Sequence, residues 1–318
     1  MLDDDTLKHT LSLFPDGYRL LLRLVCAQWA RVLSSPEHGG KVESRSECYL
    51  PSLPLLRWAV ENGCPLNDSV LSKAVNADEL PAVIWLLQEG CMWRRSFGVA
   101  AAMRGHLSVL LFAWNGGYAL DAHVCMGVAA EKGHLSVLVF FETAGHPVNE
   151  DHLWLAVANG HLCVAQWVWS NCSPAISMDE NSVSWAARGG HLEMLFWLSR
   201  VVGCHFDEGV CAEAAYGGHL HVLQWLRRNG CPWSVHTCAY AARNNHLHVL
   251  EWAYANGCEC NEIVCEYAAS QGRLQVLRWL RQRGCPWDVY SHLMAMQNGH
   301  VEVANWLAEN GCPVHTFG

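Results

Sequence analysis

Residues 207–233 read DEGVCAEAAYGGHLHVLQWLRRNGCPW, and variants of this 27-residue string recur along most of the chain. Aromatic residues mark the beat at Trp58, Trp85, Phe112, Phe140, Trp167, Trp197, Trp225, Trp252, Trp279 and Trp306. The steps between them are 27, 27, 28, 27, 30, 28, 27, 27 and 27 residues. A cysteine follows six or seven residues later at Cys64, Cys91, Cys204, Cys231, Cys258, Cys285 and Cys312. A histidine stands six residues ahead at His106, His134, His161, His191, His219, His246 and His300. A fixed period of this size is the signature of a stacked repeat architecture. Nine or ten copies fill residues 50–318.

Each copy holds two short helical patterns. In the second, Leu220, Val222, Leu223, Trp225 and Leu226 fall on one broad face at helical spacing. Gly230 ends it, because glycine takes the left-handed conformation after a helix without a Cβ clash, and Pro232 follows. The first pattern opens on Asp179, Asp207, Ser234, Asn261 or Asp288, all side chains able to accept from the free N–H groups of a helix start. Glu180, Glu208 and Glu262 come next, favourable at the positive end of the helix dipole. Paired alanines (214–215, 241–242, 268–269) then allow close approach of neighbouring helices, and Gly190 or Gly218 closes the pattern. Helices this short cannot bury an apolar face alone, so successive copies must stack. The expected fold is all-α, a helix-turn-helix solenoid of about ten short repeats.

Composition agrees. Of 318 residues 51% are apolar and 16% charged, as expected of a folded chain. The net charge of −9 disfavours a generally basic nucleic-acid binder. No apolar run approaches the ~18 residues of a membrane helix, and the first residues lack a secretory pattern, so no membrane partner is expected and the placement is cytoplasmic.

The string AARNNHLHVLEWAYANGCEC, residues 241–260, resembles the ankyrin pattern AAxxGHLxVVxxLLxxGAxxN, and 186–204, 214–231 and 268–285 resemble it too. The TPLH opening of ankyrin helices is replaced, with Thr237, Cys238 and Ala239 at its last three positions. The period is 27 rather than ankyrin's 33, which implies loss of the β-hairpin finger. Shortened repeats of this kind are similar to the large repeat families of giant amoeba-infecting viruses and some protists, which for a viral chain implies the host cytosol.

Three columns invite a chemical reading. The histidines suggest a metal or proton-relay ladder. Equivalent residues in stacked copies lie ~8–10 Å apart, too far to share an ion, so the favoured reading is an imidazole satisfying turn carbonyls. Equivalent cysteines are also too distant to bridge. They read as small buried hydrophobes, as do Cys211, Cys238 and Cys265, and the CxC pair Cys258 and Cys260 is a weak metal signal. The tryptophans suggest a stacking platform but share the leucine register, which favours a core column. No metal or cofactor is expected. Phosphate loops, GxSxG and HExxH are missing from the sequence, which points away from an enzyme.

Residues 1–36 stand outside the period. LFPDGYRLLLRLVCAQWARVL resembles the second half of an F-box through Leu24, Val25, Cys26 and Trp29, and LDDDTLKHTLSLF resembles its opening through Leu2, Leu7 and Leu11. The plain alternative is a capping helix pair. The resemblance implies docking to the Skp-type adaptor of a cullin–RING ubiquitin ligase through Leu7, Leu11, Leu24, Val25 and Trp29. Residues 37–49 form a linker and 50–318 the solenoid.

In ankyrin proteins the two residues ahead of the inter-helix GH are often variable and lie on a concave binding surface. The matching positions here are Glu131, Lys132, Arg188, Tyr216, Arg243, Asn244, Ser270, Gln271, Gln297 and Asn298. The expected function is that of a monomeric protein-interaction adaptor. It presents an unidentified target protein to the ligase; the alternative is a scaffold that sequesters a host protein without the ligase. A basic cluster of Arg273, Arg278, Arg281 and Arg283 is left unassigned.

Overall fold

The computed structural model describes residues 66–172 and 180–314, together with Leu53, Leu56, Arg57 and Val60. Residues 1–36, with Leu7, Leu11, Leu24, Val25 and Trp29, and the linker 37–49 lie outside the described residues, as do Trp58, Cys64 and Asp179. Among the described residues every regular element is a helix. The helices fall into pairs: α1 (Asp68–Asn76) with α2 (Leu80–Gln88), α3 (Arg95–Arg104) with α4 (Leu107–Asn115), and α5 (Ala122–Lys132) with α6 (Leu135–Thr143). They continue as α7 (Glu150–Ala158) with α8 (Leu162–Asn171), α9 (Glu180–Arg188) with α10 (Leu192–Trp197), and α11 (Glu208–Tyr216) with α12 (Leu220–Arg228). The last are α13 (Val235–Arg243) with α14 (Leu247–Ala255), α15 (Glu262–Ser270) with α16 (Leu274–Gln282), and α17 (Val289–Gln297) with α18 (Val301–Glu309).

Two compact units divide the chain, one comprising residues up to 129 and 134–147, the other 130–133 and 148–318. Within the second, first helices pack on first helices in order from α9 to α17, and each also holds its own second helix. In the first, α1 packs on α3 in the same way. The alanine pairs explain the contact: Ala214, Ala215, Ala241, Ala242, Ala268 and Ala269 are fully buried, and nothing larger would let these backbones approach.

Both ends of each helix pair follow from sequence. Asp207, Asn261 and Asp288 accept from backbone N–H groups of the first turn, while Ser234 takes the extended cap conformation without a side-chain bond. Most pairs, like α11 with α12, contain two glycine-type turns with crossed backbone bonds. At the first, Gly218 N–H reaches Ala215 O (3.2 Å) and His219 N–H reaches Ala214 O (3.0 Å). At the second, Gly230 N–H reaches Arg227 O (3.2 Å) and Cys231 N–H reaches Leu226 O (3.0 Å). The glycines sit at φ 78° and 81°, where a Cβ is strained. Histidine and cysteine thus hold equivalent places, each the third residue beyond a helix end. The 28-residue step from Trp197 to Trp225 coincides with a widening of α10 into a π turn at Leu198–Val202, which absorbs an extra residue.

The core differs from expectation in one respect. Val222, Leu223 and Leu226, with Val249, Leu250, Val276, Leu277 and Leu280, are fully buried. In the tryptophan column only Trp85 (9% exposed) and Trp197 (6%) are buried among the described residues. Trp225, Trp252, Trp279 and Trp306 are half-buried at the margin of the apolar face. They pack there on residues beyond the second turn: Trp252 meets Trp233 edge-on with centroids 5.8 Å apart, and Trp306 meets Trp287 at 5.9 Å. Arg227 and Arg281 cover the outer tryptophans at 4.2 and 4.3 Å. The stack is sealed by alanine, valine and leucine, with the indoles as a rim.

Candidate functional site

The histidine column ties neighbouring helix pairs together. In the first unit His106 Nε2 bonds Asn76 O (3.1 Å) and His134 Nε2 bonds Met103 O (3.0 Å). In the second, His161 Nε2 bonds Glu131 O (2.8 Å) and His300 Nε2 bonds Ser270 O (3.2 Å). His219 and His246 make the same contact with the backbone of Arg188 and Tyr216. Each acceptor lies three residues ahead of the preceding column position, among the carbonyls that the end of a first helix leaves without a partner. A carbonyl only accepts, so Nε2 must carry the proton. Each histidine also stands at the N-cap of its own second helix yet makes no cap bond, because its ring is turned toward the preceding pair. Where the column holds Arg273, its Nε donates to Arg243 O at 3.0 Å.

The glycine before each turn completes the joint. A Cβ on Gly105, Gly133, Gly190 or Gly218 would lie 2.6 Å from Nδ1 of the following pair's histidine, and on Gly160 2.4 Å from that of His191. Asn245 takes the same left-handed conformation (φ 63°) in place of glycine where the next column residue is Arg273. Asp78 is the other exception, with its carboxylate 3.9 Å from His106 Nδ1.

Burial lowers the pKa of His191, His219 and His246, because a charged ring would lose hydration there. His161 and His219 add to the effect on His191. The carbonyl bonds of His219 and His246 oppose it, while His221 acts with burial on the first, and His248, His219 and Arg273 on the second. An unfolded histidine titrates near pH 6.5. The folded rings resist protons that the unfolded chain accepts, so their contribution to stability is full above pH 6.5 and falls as pH drops toward their lower folded values. The thermal midpoint at pH 5 is expected to lie below that at pH 7.5. Replacing all three by glutamine should flatten that difference; an unchanged slope would assign it to other groups.

The column leaves the side chains ahead of it facing away from the turn. Arg188 lies over the ring of Tyr216 (3.9 Å to the centroid), and its Nε donates to Glu213 at 2.6 Å. Tyr216 meets Tyr240 edge-on at 5.8 Å, Tyr240 meets Tyr267 at 5.9 Å, and Arg243 stands 5.8 Å from the Tyr267 ring. These residues occupy the sixth and ninth positions of α9, α11, α13 and α15, three apart on one helix face. The result is one stripe of tyrosine and arginine, with Trp185 52% exposed in the same sixth-position column.

The stripe contains Arg188, Tyr216 and Arg243 of the positions expected from sequence, and adds Glu213, Tyr240 and Tyr267. The other positions have local uses. Asn244 and Asn298 donate to Tyr240 O (3.3 Å) and Met294 O (2.8 Å), closing the ends of their own helices. Ser270 Oγ donates to Tyr267 O, and Lys132 pairs with Glu131 at 2.7 Å. Gln271 is half-buried and Gln297 exposed. The basic cluster disperses: Arg273 serves the histidine column, Arg281 and Arg283 cover Trp287 and Trp279, and Arg278 is exposed. Among the described residues no group of three His, Cys, Asp or Glu side chains is arranged to hold a metal ion, and no helix is long and apolar enough to cross a membrane.

No known protein-family model matches the chain, and no curated protein matches it.

Proposed function

We propose that this chain is an ankyrin-like interaction adaptor, whose first-helix stripe holds a target protein while residues 1–36 dock to the Skp-type adaptor of a cullin–RING ubiquitin ligase. The observation that supports target binding is the run of Arg188, Tyr216, Tyr240, Arg243 and Tyr267 across four consecutive first helices. Tyrosine and arginine dominate the energetically decisive parts of protein interfaces, because each offers a large rigid contact surface with a polar end. Here the rings are already ordered by one another, so little side-chain entropy remains to be lost on binding. The ligase arm rests on the F-box-like residues Leu7, Leu11, Leu24, Val25 and Trp29, which would insert into a helical groove. A scaffold that sequesters a protein without the ligase uses the same stripe and lacks only this arm.

Both arms are testable on the full chain. Purified Skp-type adaptor should co-elute with the wild-type protein and not with Leu24→Ala/Trp29→Ala; wild-type failure to co-elute selects the sequestering scaffold. Proteins cross-linked to the wild type in cells should be lost from Tyr240→Ala/Tyr267→Ala and retained by Arg228→Ala on a second helix. Affinity for a captured target should fall about 30-fold, as for an interface hot spot. Equal capture by all three proteins would remove the stripe from the account.

A further inference from the structure

The cysteine columns, too widely spaced within themselves to react, meet each other. Cys211 is the fourth residue of α11 and Cys231 the third residue past α12. Their sulfurs are 3.4 Å apart, with Cys211 donating. Both residues are buried, and Cys231 in turn donates to Asp207 O at 3.1 Å. The same two columns recur in the next two helix pairs, with Cys238 and Cys265 fourth in α13 and α15 and Cys258 and Cys285 third past α14 and α16. Of the two, the Cys231 thiol past the turn is the better anion, since Cys211 donates a hydrogen bond to it; the same bond raises the Cys211 thiol. One member is thus disposed to attack and the other to resolve.

We propose that Cys211 and Cys231 form a dithiol that hydrogen peroxide oxidises to an intramolecular disulfide. The site is independent of the binding stripe. The Cys231 thiolate attacks one peroxide oxygen and the O–O bond breaks. This leaves a sulfenic acid on Cys231 and a hydroxide that takes up the proton Cys231 released, forming water. The sulfur of Cys211 then attacks that of Cys231. Its proton leaves with the S–OH oxygen as a second water, and the S–S bond forms. Two thiols lose two electrons in all, and one peroxide gains them. The sulfurs must close by about 1.4 Å to reach disulfide length. This motion falls on the turn after α12, since Cys211 is held within its helix.

The test uses the reduced full chain under native conditions. The chain is exposed to hydrogen peroxide, remaining thiols are blocked with N-ethylmaleimide, and linked peptides are mapped by mass spectrometry. Cys211 and Cys231 should disappear together into one linked species that dithiothreitol reverses. Cys125, buried and with its pKa pushed up to about 12, serves as an internal control and should react roughly ten-fold more slowly. In Cys211→Ser, Cys231 should stop at the sulfenic or sulfinic acid. Cys231→Ser, at the turn rather than in the helix, should leave Cys211 as a thiol and provides a second arm if the first variant does not fold. Cys231 over-oxidised without a link in the wild type, or both thiols surviving while Cys125 reacts, would overturn the assignment.

Discussion

Leu250→Ala should destabilise the protein by about 3 kcal/mol, the usual result of emptying a fully buried leucine site. Trp252→Ala, two residues away on the same helix, should cost about half as much, roughly 1.5 kcal/mol, although it removes far more atoms. The order follows from depth. Leu250 is fully buried, where no solvent could fill the space. Trp252 lies half-buried on the rim against Trp233, and much of the area it covers can be rehydrated when the ring is removed. Urea midpoints of the two variants measured side by side decide the matter. A larger loss for Trp252→Ala would return the tryptophans to the core.

Gly218→Ala and Gly230→Ala should separate conformational strain from loss of the joint between helix pairs. Both glycines are left-handed, at φ 78° and 81°, so both alanine variants carry about 1 kcal/mol of backbone cost. A Cβ on Gly230 meets nothing within 4 Å, whereas one on Gly218 lies 2.6 Å from Nδ1 of His246. The His246 ring would have to leave, taking its bond to the end of α11 with it. That adds about 2 kcal/mol, from the lost hydrogen bond and the carbonyl left unpaired. In a His246→Ala background the extra cost should vanish and the two glycine variants should become equal. If Gly218→Ala is no worse than Gly230→Ala in the wild type, the ring does not bridge the pairs.

The helices, their caps and the positive-φ glycines at 218 and 230 were legible because each depends on a few consecutive residues. The role of the histidines was legible in kind, as partners of turn carbonyls. That the carbonyl belongs to the preceding helix pair was not, since the bond spans 30 residues, as from His300 to Ser270. The tryptophan column was misjudged in depth. On a helix wheel Trp225 shares a broad apolar face with Leu223 and Leu226, and which edge of that face meets solvent depends on the neighbouring pair. Tyr240 and Tyr267 escaped notice because the alanines beside them marked the segment as packing surface; variation down their column, through Trp185, Glu213 and Met294, was the available signal. The thiol pair was hidden because each cysteine column was compared only with itself.

The joint between helix pairs is the claim on which the stacking account turns, and long-range proton–nitrogen correlation spectra of the histidine rings test it most directly. At pH 7.5, the rings of His106, His134, His161, His219, His246 and His300 should each hold their bonding proton on Nε2, in slow exchange with water. Rings carrying the proton on Nδ1, or averaging rapidly between the two tautomers, would contradict it.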